Sequence, residues 1–119
     1  MGHDVTRIGS APAAATRSAM RRIADLAVRA GSLPILVTSC PTDLPGGPEA
    51  MDPYYGALRA LAAERSLPLA DADAAWRALP AARAAALYLD DGVHPSDAGH
   101  ELMAEVLLQI FFDSLRAIA

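Results

Sequence analysis

The residues best able to do chemistry lie together in the segment YLDDGVHPSDAGHELMAEVL, from Tyr88 to Leu107. Asp91 and His94 stand three apart in a glycine-containing loop directly before a helix, a placement that can aim both side chains at one site. A carboxylate bonded to one imidazole nitrogen fixes the tautomer and supports the imidazolium. The other nitrogen is then free to take a proton from a serine. Pro95 stiffens the loop exit, and Ser96 is placed to cap the helix behind it. Asp-x-x-His is a short pattern, however, and on spacing alone a surface loop with incidental polar residues reads as well.

Metal binding is the other chemical reading of this segment, because Asp91, His94, Asp97 and His100 crowd together. His94 and His100 are six apart and the helix starts between them, so they do not share a face as ligands at i and i+4 would. His100 then reads as a polar residue on the first helical turn, and no metal or cofactor is expected.

The elements around the loop follow from periodicity and breakers. Ala13 to Ala30 reads as a helix with Met20, Ile23, Ala24 and Ala27 on one face and Arg17, Arg21, Asp25 and Arg29 toward the other. Arg17, Arg21 and Arg22 read as a solvated surface, and Gly31 stops the helix. Pro34 to Ser39 is a short apolar run that suggests a strand buried on both faces. Asp52 and Pro53 supply an N-cap and a first-turn proline for a helix to about Arg65. Leu67 to Asp71 is a second short strand. Asp73 to Leu79 is a brief helix, continuing after Pro80, with Asp71 and Asp73 as its capping residues. The last helix runs from the Ser96 cap to about Ala117. Its apolar arc covers roughly half the circumference, wider than a surface helix needs. Tyr54, Tyr55 and Trp76 read as packing residues. Tyr88 could line a pocket, with a core role as the plainer reading.

The order helix, strand, helix, strand, helix predicts a parallel sheet with flanking helices. Two strands are too few for such a sheet, and its open edges must be covered.

Composition bounds the rest. At 119 residues, one domain is the default, and 53% apolar against 20% charged residues argues for a folded chain. A net charge of −4 offers no basic surface for nucleic acid. The single cysteine, Cys40, excludes an internal disulfide and a multi-cysteine zinc site. Met1 to Arg7 is not a signal peptide, and no apolar run is long enough to span a membrane. A cytoplasmic location is the default.

The segment DGVHPSDAGHELMAEVL resembles the last block of SGNH/GDSL hydrolases, in which Asp-x-x-His-Pro precedes the final helix. Upstream, YYGALRALAAERSLPLADADAAW resembles that family's helix and following strand. LPILVTSCP resembles the strand before it, and MGHDVTR resembles the oxyanion block, usually Gly-x-Asn-Asp. The resemblance implies an α/β chain, part of a three-layer α/β/α flavodoxin-like fold. Residues 1–119 would supply its later strands and helices as one partial domain. It implies hydrolysis of a small-molecule ester, with His94 as general base and Asp91 as its orienting acid. It implies no cofactor.

The departures are informative. The family's Gly-Asp-Ser nucleophile block has no match here, and neither does the glycine block of its next strand. In the third block Asp4 matches, but His3 stands where asparagine is expected. A neutral imidazole can donate one N–H, so His3 is a candidate oxyanion contributor; an exposed terminal side chain is the alternative. Ser10, Ser39 and Cys40 are the candidate substitute nucleophiles, although none lies in a glycine-flanked elbow. The expectation is a fragment of an esterase, because Met1 falls inside a motif, and one inactive alone, because the nucleophile block is missing. The competing readings are a binding or assembly module on the same fold, and a chain completed by a partner. Self-association through an open sheet edge is also expected.

Overall fold

The computed structural model describes residues 12–41 and 48–118. Helix α1 (Ala13–Arg29) leads into β1 (Leu36–Thr38). A 3₁₀ turn (Pro48–Met51) opens α2 (Asp52–Arg65), followed by β2 (Leu69–Asp71), two short helices α3 (Ala72–Arg77) and α4 (Ala81–Ala85), and the long α5 (Asp97–Ile118). The strands pair in parallel with Leu36 opposite Leu69, Val37 opposite Ala70 and Thr38 opposite Asp71. The chain is therefore α/β, as the alternation of elements predicts.

Local chemistry sets the element ends. Gly31 takes φ 84°, and the N–H groups of Gly31 and Ser32 return to the Val28 and Ala27 carbonyls, which satisfies the last turn of α1. α2 stops at Ser66 in the left-handed region, φ 52°, with no glycine to announce it. Asp52, expected from sequence to cap α2, does not do so. Met51 holds that position, the 3₁₀ turn supplies the entry, and the Asp52 carboxylate instead accepts from Arg77 Nη2 at 2.8 Å. Both strands are shorter than predicted. Pro34 and Pro68 cannot donate to a ladder, and pairing starts only where Leu36 N–H reaches the Pro68 carbonyl at 2.9 Å.

One core cluster gathers Leu36, Leu61 and Ala62, with Met20, Leu67 and Leu69 packed against it. A second joins Met51, Tyr54 and Tyr55. β1 is buried on one face only: Leu36 and Thr38 are enclosed, whereas Val37 is 41% exposed. α5 lies against β2, and among the described residues the cover over Val37 is only partial.

α1 is turned relative to its expected phase. Arg17 and Arg21 both reach Glu64 of α2, at 2.8 and 2.9 Å, and Asp25 receives Arg65 at 3.2 Å. The inward strip is the buried Ala24 and the half-buried Met20, flanked by the aliphatic stems of those arginines. Ile23, assigned to the inner face from its spacing to Met20, is 59% exposed instead. The ion-paired seam fixes the phase; Arg17 and Arg21, expected in solvent, line the helix contact, and Arg22 is exposed as expected.

Thr38, Asp71 and Asp73 meet at the carboxyl ends of the strands. Asp71 caps α3 by accepting from Ala74 N–H at 3.0 Å, and Arg59 clamps it through Nε at 2.7 Å and Nη2 at 2.8 Å. That clamp holds the Asp71 carboxyl below its ordinary range. Asp73 is buried and bridges Arg59 Nη2 at 2.7 Å and Arg77 Nε at 2.8 Å, while its N–H donates to Thr38 Oγ1 at 3.0 Å. Asp73 is thus a tie between α2 and α3 rather than a capping residue. No helix of the described residues is long and apolar enough to cross a membrane.

Candidate active site

The loop from Tyr88 to Pro95 is closed at its base. Tyr88 and Pro95 face each other in an isolated antiparallel bridge. Leu89 N–H donates to the His94 carbonyl and Ser96 N–H to the Leu87 carbonyl, each at 2.8 Å. Gly92 makes the turn, with φ 66° and its N–H on the Leu89 carbonyl at 3.0 Å. Ser96 ends the loop and starts α5. Its Oγ accepts from Gly99 N–H at 3.3 Å and donates to the Ala86 carbonyl at 3.1 Å. Gly99 allows α5 to seat so closely: a Cβ there would lie 2.2 Å from the Leu87 carbonyl oxygen and 2.8 Å from the Trp76 ring.

Two tyrosines join this loop to the exit of β1. The Tyr88 ring packs on Trp76, centroids 4.9 Å apart, and its hydroxyl donates to the Pro41 carbonyl. The Tyr55 hydroxyl donates to the Cys40 carbonyl at 3.1 Å. Burial pushes both phenols up to about 12, so each remains a donor through the neutral range. Tyr88 is therefore a packing and anchoring residue.

Within the loop, Asp91 accepts three hydrogen bonds. Oδ1 takes the N–H groups of Val93 and His94, both at 2.9 Å, and Oδ2 lies 2.5 Å from His94 Nδ1. The His94 side chain and the two backbone donors lower the Asp91 carboxyl to about 2. A carboxylate can only accept, so the bonded Nδ1 carries the proton and Nε2 of a neutral His94 is an acceptor. The ionised form of Asp91 is favoured by the folded loop. Its contribution to stability is present above about pH 4, the unfolded value, and is lost as pH falls through about 2. The imidazole is 72% exposed, and the described residues build no cleft around it.

The other described candidates make no hydrogen bond to Asp91 or His94. The Cys40 thiol is buried, burial raises its pKa, and its hydrogen-bond partner is Ser39, not His94. Ser39 Oγ lies 3.9 Å from Cys40 Sγ, and Ser96 is occupied as a cap. His100 turns back on its own helix, Nδ1 being 3.1 Å from the Ser96 carbonyl. His3 and Ser10 lie outside the described residues. Among the described residues no cluster of three or more His, Cys, Asp or Glu could hold a metal ion. Sequence reasoning did not find the tie between Tyr88 and Pro41. Its one signal is an aromatic hydroxyl directly before the loop.

Residues 2–102 match the model of the GDSL-like lipase/acylhydrolase family. Among solved structures, a candidate SGNH hydrolase from Slackia heliotrinireducens is similar, with a TM-score of 0.69 and 30% sequence identity. The match covers 82% of this chain and 56% of that protein, so the chain spans little more than half of its length. No curated protein matches.

Proposed function

The chain belongs to the GDSL-like lipase/acylhydrolase family, and from that membership we propose that Asp91 and His94 are the acid–base half of a serine-hydrolase site. The observation that carries this reading is the 2.5 Å contact of Asp91 Oδ2 with His94 Nδ1, on the side of the ring away from Nε2. Nε2 takes the proton of an attacking serine, and Asp91 stabilises the imidazolium that results. The imidazolium then returns the proton to the leaving alkoxide, and the cycle repeats with water on the acyl-enzyme. The substrate class is a small-molecule ester. This sequence holds no Gly-Asp-Ser block, so the proposed half-site performs no ester hydrolysis by itself.

Heteronuclear NMR across a pH series tests the half-site. Neutral His94 is expected as the Nδ1–H tautomer, with the Asp91 carboxyl titrating near 2. Asp91→Asn should remove the tautomer preference, and His94→Ala should raise the Asp91 midpoint. An Nε2–H tautomer, or an Asp91 midpoint at the ordinary value of about 4, contradicts the proposal.

A further inference from the structure

α1 and α5 each present an apolar stripe to solvent. On α1, Ile23 and Leu26 are 59% and 58% exposed; on α5, Leu108 and Phe111 are 52% and 44% exposed. Their spacings, i to i+3 in both cases, place each pair on one side of its helix. Stripes of this kind on a folded domain mark a contact surface.

Charge distinguishes the two faces. α1 carries four arginines (Arg17, Arg21, Arg22 and Arg29) against one aspartate, Asp25. Arg17 and Arg21 are committed to Glu64, which leaves exposed Arg22 and Arg29 beside the apolar stripe. α5 carries Asp97, Glu101, Glu105 and Asp113 against one arginine, Arg116. Among the described residues, neither Arg29 nor Glu105 has an ion-pair partner. The faces are therefore alike in apolar pattern and opposite in charge. Each repels a copy of itself and attracts the other.

We propose that the outer face of α1 docks antiparallel on the outer face of α5 of a second copy of this chain. One register satisfies both stripes at once. With Leu26 opposite Leu108, Ile23 falls opposite Phe111, small Ala19 opposite Leu115, and Arg29 opposite Glu105. Both helices keep the same spacing through these four pairs, so each bulky side chain meets an apolar partner and the charge pair sits at one end. The contact joins unlike faces, so it closes as a pair or ring where the rotation permits and otherwise extends. It uses helix surfaces, not the open sheet edge, and it stands independently of the chemistry assigned to His94.

Light scattering on the full chain, wild type and variants, tests this. The wild type is expected to exceed monomer mass at micromolar concentration. Arg29→Glu and Glu105→Arg each set like charges together and should weaken association about tenfold or more. Both positions are exposed, so circular dichroism and melting should match wild type. Mixing the two variants one to one should restore association, since Arg29 of the second again meets Glu105 of the first. A monomeric wild type, variants that associate as the wild type does, or a mixture that stays monomeric would each overturn the proposal.

Discussion

Given p-nitrophenyl acetate, the chain is expected to release nitrophenol at the uncatalysed rate, and His94→Ala is expected to change nothing. The reason is that the proposed base, His94, has no Gly-Asp-Ser block beside it in this sequence. Where a triad acts as a unit, removing the serine costs about a million-fold in rate, close to the cost of removing all three members. Two described side chains, Cys40 and Ser96, are poorly suited to substitute. Burial keeps the Cys40 thiol protonated, and the thiolate is the form that attacks. Ser96 Oγ is spent on the Gly99 N–H and the Ala86 carbonyl. Turnover that His94→Ala abolishes would contradict this expectation and point to a nucleophile such as Ser10 or Ser39.

The second large effect is on stability. Gly99→Ala places a methyl group 2.2 Å from the Leu87 carbonyl oxygen, 2.8 Å from Trp76 and 3.0 Å from Pro95 Cβ. Backbone on one side and a buried indole on the other leave no cheap escape. Overpacking of this kind costs about 3 kcal/mol, against a gain of about 1 kcal/mol from replacing glycine in a helix. The net loss of about 2 kcal/mol should lower the Tm by roughly 8 °C. The same shift lifts α5 from the loop base and weakens the Ser96 cap. A Gly99→Ala variant that melts at or above wild type would show that the Leu87–Gly99 contact is looser than the structure places it.

Sequence reasoning reached the loop and its helix because their signals are local. Asp91 and His94 are three residues apart and Ser96 caps the helix that follows, so chain geometry alone brings them together. The family resemblance rests on the same segment. What escaped depends on partners far along the chain. The phase of α1 is set by Glu64 and Arg65, some forty residues away, and helical periodicity carries no trace of them. Asp73 looks like any first-turn acid until Arg59 and Arg77 converge on it. Val37 reads as a buried strand residue, yet burial is a property of what lies above a strand, not of the strand. His3 falls outside the described residues, and its role stays a proposal.

The central claim is that His94, oriented by Asp91, is a general base that lacks a serine. Supplying the missing part tests it most directly. The Slackia heliotrinireducens protein is matched over 56% of its length, which leaves the rest of it without a counterpart here. The part of that rest that precedes the match, joined ahead of this chain, should yield p-nitrophenyl ester turnover, with the intact relative as the reference activity. The account predicts that His94→Ala removes this turnover almost completely and that Asp91→Asn lowers it by about ten-thousand-fold. A folded chimera whose turnover survives His94→Ala, or that shows none while the relative is active, would contradict it.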